Sequence, residues 1–311
     1  MRYTEKAINV LTALESKGIG LAWINKNFKA IQDVRTLWEM ICYDTKNNAL
    51  SYETFMQKRD DVEQQLDNDD NSDGVVVIGD KDFPIISDFV NKGERPVTLF
   101  YKGDISLINQ VNKNVTVIGL LNPVDSIEER ERAFVKALAL GGCTIVSGLA
   151  KGCDAISHRQ TLDSSGKTIA ILPGTLRNII PSENKSLAEE IVANNGLLIT
   201  EYYKEVSSKN ELVDRYVKRD RLQAMFSKAI CLTASYAPND KGNDSGSRHA
   251  MSKAKEYNIQ RYVMYNPKTD SDNEQFDLNR DLLKEASVRV LSNRSIEAIC
   301  NSIGTKSSLF G

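Results

Sequence analysis

Apolar residues in the first 66 positions recur every three or four residues, the spacing of one buried helix face. TEKAINVLTALESKGIGLAWINKNF shows it, broken at the turn Lys17-Gly18-Ile19-Gly20, and IQDVRTLWEMICYD and SYETFMQKRDDVEQQL repeat it. A short helical module is therefore predicted over 1–66. The polar stretch DNDDNSDG follows, read as an acidic linker over 67–74 because it lacks the ligand order, glycine and closing glutamate of a calcium loop.

From residue 75 the texture changes. Short Val/Ile/Leu runs (VVVIG, RPVTLFY, VTVIG, CTIVSG, TIAILPG, GLLIT, AICLTAS, RYVMY) alternate with helical stretches such as SIEERERAFVKALALGG and NKSLAEEIVANNG. Continuous apolar runs suit strands buried on both faces, and strand–helix alternation implies right-handed crossovers and a mostly parallel sheet. The predicted fold class is α/β: an extended Rossmann-like core over 75–293, behind the helical module and ahead of a C-terminal helix and tail over 294–311. SVRVLS is read as a last strand and SIEAICNSI as the closing helix.

Composition narrows the classes. With 41% apolar and 26% charged residues in 311, the chain is ordinary for a globular protein. A net charge of −2 argues against a uniformly basic nucleic-acid coat while permitting a local basic groove. No run approaches the ~20 apolar residues of a membrane span, and MRYTEKAINV lacks the apolar core of a secretory signal. A cytoplasmic protein is expected. The five cysteines are scattered without a CxxC pair, and neither of the two histidines belongs to a ligand cluster, so no metal is expected.

In open α/β sheets ligands collect at the carboxyl ends of strands, where helix N-termini carry partial positive charge. Four loops there are candidate anion cradles: Gly119-Leu120-Leu121-Asn122-Pro123, Ser147-Gly148-Leu149-Ala150-Lys151-Gly152, Pro173-Gly174-Thr175, and Asp244-Ser245-Gly246-Ser247-Arg248. Glycines let backbone amides approach an anion, serines add hydroxyls, and Lys151 and Arg248 add charge. Strand–helix packing alone also uses glycine. Neither GxxxxGK[ST] nor GxGxxG with its ribose-binding acid occurs, so no nucleotide cofactor is expected. In SGLAKGCDAISH, Cys153 and His158 are five apart, on neighbouring rather than converging helix faces, which disfavours a Cys–His nucleophile. Arg215, Lys218, Arg219 and Arg221 then crowd into seven residues with Tyr216 among them and Tyr202 and Tyr203 just before. Cations with aromatics are the ingredients of single-strand binding; a solvated helix face with internal ion pairs is the plainer alternative.

Taken in order, these segments resemble the DprA/Smf family of bacterial DNA-processing proteins, over about residues 75 to 267. SGLAKGCDAISHRQTL is similar to that family's SGxAxGxDxxAHxxAL signature, KRDRLQAMFSKAICLTAS to its RNRIIxxLSxxxxVxEA segment, and DSGSRHAMSKA to its SGSxxTAxxA loop. The resemblance implies a non-enzymatic protein that binds single-stranded DNA in a basic pocket, forms homodimers and helps load a RecA-like recombinase during transformation or recombination. It points to Ser147, Gly148, Lys151, Arg219, Arg221, Ser245, Gly246 and Ser247 as phosphate-binding, and the loop and charge patterns add Gly119, Lys218 and Arg248. Asp154 and His158 become polar groups that order the signature loop, with no catalytic residue assigned.

Three departures stand out. Gly119-Leu120-Leu121 replaces a Gly-x-Arg, Asp220 replaces the Asn of Arg-Asn-Arg, and Ile180 replaces an aromatic before Pro181. A lost arginine and an added aspartate would suit a second reading, a sensor of a small nucleotide-derived ligand. A third, a nucleotide phosphoribohydrolase, fits less well. Pro173-Gly174-Thr175-Leu176-Arg177 lacks the second glycine and the glutamate of that motif, and Glu201 is the one carboxylate to consider instead.

Overall fold

The computed structural model describes residues 2–31, 33–47, 49–238 and 246–303. Four helices come first: α1 (Glu5–Leu14), α2 (Leu21–Asn27), α3 (Val34–Thr45) and α4 (Tyr52–Asp67). The side chains of Thr4, Asp33 and Ser51 cap α1, α3 and α4 by accepting a backbone N–H of the first turn. Their apolar faces do not close on one another alone. Ile8, Leu11, Ile24, Leu37, Ile41 and Phe55 share one cluster with Val75, Val77, Val97 and Phe100 of the following segment.

The remaining elements alternate as the apolar runs predict. They are β1 (Gly74–Val77), β2 (Thr98–Gly103), β3 (Asn114–Ile118), α5 (Asp125–Leu140), β4 (Thr144–Ser147), α6 (Cys153–Asp163), β5 (Thr168–Ile171), α7 (Lys185–Ala193), β6 (Leu197–Thr200), α8 (Lys209–Met225), β7 (Ala229–Leu232), α9 (Ser247–Glu256), β8 (Gln260–Val263), α10 (Asp277–Leu282), β9 (Val288–Val290) and α11 (Asn293–Asn301). Among the described residues the strands form one nine-stranded sheet in the order β1-β2-β6-β5-β4-β3-β7-β8-β9. Pairing from β6 to β9 is parallel throughout, while β2 runs against both of its neighbours. No helix separates β1 from β2, so the crossover that would make them parallel is missing.

Strand alternation sends successive side chains to opposite faces. Val115, Val117 and Ile145 pack with Phe134, Val135 and Leu138 of α5. Ile118, Val146, Ile169 and Ile171 pack on the other face with Leu222 and Met225 of α8 and Met251 of α9. No helix of the described residues is long and apolar enough to cross a membrane.

One buried group does not fit an apolar interior. Glu131 of α5 is fully buried, and neither carboxyl oxygen makes a hydrogen bond of good geometry, although the Cys153 thiol lies beside it. Burial holds its carboxyl well above the usual range, and Asp154 adds to the effect. The folded protein therefore keeps a proton that the unfolded chain releases above its ordinary value, so this site loses stability as pH rises. Glu131→Leu is expected to raise stability by roughly 1–3 kcal/mol at pH 8 and by less at pH 4, measured by urea denaturation at both.

Candidate functional site

Beyond β3 the chain steps to β4, β5 and β6 on one side and returns through α8 to β7, β8 and β9 on the other. The loops leaving β3, β4 and β7 therefore diverge around one crevice, the place where open sheets bind ligands. A cavity of about 640 Å³ lies there, lined by Ile118–Asn122 after β3, Ala150, Lys151 and Asp154 after β4, Tyr236, Gly246 and Ser247 after β7, and Tyr216, Arg219, Asp220 and Gln223 of α8, with Pro181 at its rim.

The signature loop is built by backbone requirements. Ser147 is fully buried, and its Oγ donates to Val117 O at 2.7 Å, tying the end of β4 to β3. Gly152 has φ +67° and a Cβ there would stand 2.3 Å from Leu120 O, so only glycine lets the turn close on the β3 loop. Asp154 Oδ2 accepts from Gly148 N at 3.1 Å and Ala150 N at 3.2 Å, folding the turn back on the first turn of α6. Asn184 Nδ2 donates to Leu149 O and Ala150 O from the other side. Lys151 is left at the exposed edge with its Nζ 2.6 Å from Glu183 Oε1.

Helix α8 supplies the cavity wall. Tyr216, Arg219, Asp220 and Gln223 are spaced i, i+3, i+4, i+7, one helix face. Arg219 is 5% exposed, with Nη1 3.8 Å from Asp154 Oδ2, Nε 3.4 Å from Asp220 Oδ1 and its guanidinium 5.7 Å from the Tyr216 ring centre. The Gln223 amide, turned with its oxygen inward, accepts from Arg219 Nη1 at 3.1 Å and Gly148 N at 3.0 Å. A Cβ at Gly148 would fall 1.2 Å from Arg219 Nη1, so the second glycine of the signature makes room for this guanidinium. Arg219 Nε is buried without a hydrogen-bond acceptor.

Burial sets the protonation here. It pushes the Asp220 carboxyl up to about 7 against the opposing pull of Arg219, with Asp154 adding repulsion. It also raises Asp154, although Arg219 and the Gly148 and Ala150 amides oppose the rise. His158 lies behind the loop, fully buried, and burial with Arg219 nearby lowers it to about 3. Thr168 Oγ1 gives its proton to Ile145 O, so His158 Nδ1 donates to Thr168 at 2.7 Å and the neutral ring leaves Nε2 bare.

Of the residues singled out from the sequence, Gly119, Lys151, Arg219, Gly246 and Ser247 meet at the cavity together with Asp154. Ser147, Gly148, Lys218, Arg221 and Arg248 do not line it. Lys218 stands on the outer face of α8, paired with Asp214 at 2.6 Å. Arg221 is buried on another side, donating from Nη1 and Nη2 to Glu201 at 2.8 and 2.7 Å and from Nε to Glu94 O at 2.8 Å. Arg248 sits in the first turn of α9, and Ser245 lies outside the described residues. Tyr236 and Gln223 line the cavity without having been singled out, while Asn122 belongs to the first candidate loop. The helix-face spacing on α8 would have found Gln223; no local signal marks Tyr236.

A mostly parallel sheet whose diverging loops enclose a cavity floored by a buried arginine defines a Rossmann-like domain. The model of the family "DNA recombination-mediator protein A" matches residues 74–302, and the chain belongs to that family. Protein Smf of Borreliella burgdorferi is 31% identical over 175 residues, 54% of this chain and 51% of that protein. DNA processing protein DprA of Bacillus subtilis is 34% identical over 109 residues, 35% of this chain and 36% of that protein. The chain thus spans about half or less of the length of these relatives. The crystal structure of DNA processing protein A from Streptococcus pneumoniae shares the fold, with TM-score 0.74 at 22% identity over 96% of this chain and 98% of that one. The same protein from Helicobacter pylori, whose structure is described for its single-stranded DNA binding mode, has TM-score 0.58 at 26% identity over 73% and 94%.

Proposed function

We propose that this chain binds single-stranded DNA through the cavity at the crossing point of the sheet, as a non-enzymatic DNA-processing protein of recombination. The observation that carries the reading is the α8 face: Tyr216 and Arg219 point the same way, toward a loop edge that bears Lys151. A ring and a cation side by side suit a base and its phosphate. The H. pylori relative's single-strand binding supports the assignment. Protection of the strand, handover to a RecA-like recombinase, homodimer formation and action in the cytoplasm belong to the same proposal. Glycosidic cleavage through Glu201 does not, since Glu201 is held by Arg221 and does not line the cavity.

One observation favours the small-nucleotide reading: 640 Å³ lies within the 300–1,000 Å³ of ordinary small-ligand pockets. Fluorescence anisotropy of a labelled oligothymidine against salt separates the two, because phosphate contacts release counterions. Lys151→Ala is expected to reduce the slope of log affinity against log salt by about 0.7, one single-strand phosphate contact, with an unchanged urea midpoint. Its ion pair with Glu183 is exposed and contributes little to stability. Absence of oligothymidine binding at low salt, with a nucleotide raising the melting temperature instead, would move the assignment to the sensor.

A further inference from the structure

The cavity binds few net positive charges, although it sits where an anion is expected. Among the described residues lining it, Lys151 and Arg219 are matched by two carboxylates, Asp154 and Asp220. Asp154 is committed to the Gly148 and Ala150 amides and to the loop's shape. Among the described residues Asp220 shows no such bond to the backbone: Oδ1 faces Arg219 Nε at 3.4 Å, and Oδ2 lies 3.2 Å from where a Cβ of Gly246 would stand, against the residue that opens α9. A helix N-terminus attracts anions, so Asp220 puts a carboxylate of the protein's own between Arg219 and the position a bound phosphate would take.

We infer that Asp220 makes this cavity selective for the singly charged phosphodiester inside a strand over the more highly charged phosphate at a strand end or on a free mononucleotide. The inference rests on the single-strand reading above and names which phosphate that site accepts. With both carboxylates ionised the described lining carries no net positive charge, and a ligand charge of −1 meets less repulsion from Asp220 than the roughly −1.5 to −2 of a phosphate monoester. The balance improves if Asp220 takes up a proton as the anion arrives. Burial already brings its carboxyl to about 7, so the proton is available near neutrality.

The charged and titratable groups around Asp220 are consistent with one proton moving there. Tyr216 and Arg219 come from its own helix, Asp154 from α6 and Lys151 from the turn before it, and Arg248 stands in the first turn of α9. Arg221, next in sequence, is turned away to Glu201. His158 stays neutral down to about pH 3. Asp240, Lys241 and Asp244 lie outside the described residues.

The test measures binding of an internally labelled oligothymidine without terminal phosphates at pH 6 and pH 8, for the wild-type chain and Asp220→Asn. Unlabelled oligothymidine and thymidine 5′-monophosphate serve as competitors. The diester backbone does not titrate in this range. Wild-type affinity is expected to fall by up to about tenfold from pH 6 to pH 8, the change for uptake of one proton by a carboxyl near 7. Asp220→Asn should bind at pH 8 as it does at pH 6, and at pH 8, where the wild-type carboxyl is ionised, the monophosphate should displace oligonucleotide from the variant but poorly from the wild type. A flat wild-type pH profile, or equal displacement of both proteins by the monophosphate at pH 8, overturns the inference while leaving single-strand binding in place. Failure of every oligonucleotide to bind at pH 6 overturns the functional reading and the inference together. The wild-type profile and competition need no variant, so a poorly folded Asp220→Asn does not rescue the idea.

Discussion

Arg219→Ala is expected to abolish oligonucleotide binding and to destabilise the fold by about 3–5 kcal/mol at pH 8, the usual penalty for breaking a buried ion pair from one side. Arg219 is the buried cation between Asp154 and Asp220, and its loss leaves two carboxylates near each other with little water. Burial already raises both, and without the guanidinium both rise further. The sign of the pH dependence follows. Groups held above their unfolded values are protonated in the folded state first, so the penalty shrinks as pH falls toward 5 and is largest above 7. Urea denaturation of both proteins at pH 5 and pH 8 measures it. A loss below about 1 kcal/mol at pH 8 would place Arg219 in the exposed-pair class and contradict its burial. Retained binding would remove it from the site.

The second large effect concerns the cation two residues on. Arg221→Ala is expected to destabilise the protein by about 3–5 kcal/mol and to leave the salt slope of oligonucleotide binding unchanged. Arg221 holds Glu201 with two hydrogen bonds and donates to Glu94 O and Lys218 O, so all of its visible partners belong to the protein. Removing it strands a carboxylate only 11% exposed on β6's outgoing loop. Arg221→Met combined with Glu201→Leu should cost less than either single change, because apolar replacement of a buried pair is often neutral. A salt slope lowered by about 0.7 in the single variant would return Arg221 to the phosphate contacts expected from the sequence alone.

That pair of arginines shows where reading the chain succeeds and where it stops. The strands are legible because Val/Ile/Leu runs such as VTVIG and CTIVSG have little use outside a sheet covered on both faces, and each coincides with a strand. The reversal at β2 is less legible: RPVTLFY looks like the runs that form the parallel strands, and the clue is only that 78–97 carry no helix. Within RYVKRDR, composition treats Arg219 and Arg221 alike, yet residues two apart on a helix do not face the same way. The difference is settled by Glu201, twenty residues earlier and brought near only by β6. Ser147 reads as a loop hydroxyl, but its place at the last position of β4 turns its Oγ onto β3. Gly148 is legible as a required glycine, while its reason, a guanidinium arriving from α8, is a tertiary fact.

The packing of Arg219 over Gly148 also bears on how a ligand is met. A free arginine side chain can lose up to about 2 kcal/mol of rotamer entropy when it is pinned. Here the pinning by Gly148, Asp154 and Gln223 is complete before anything binds. In the binding proposed above, the protein side of the encounter is preorganised and the ordering would fall on the strand. A cation fixed at the floor of a cavity cannot reach out to a rigid rod, so the proposed partner is one supple enough to lower a phosphate to it, as a single strand is and a paired duplex is not.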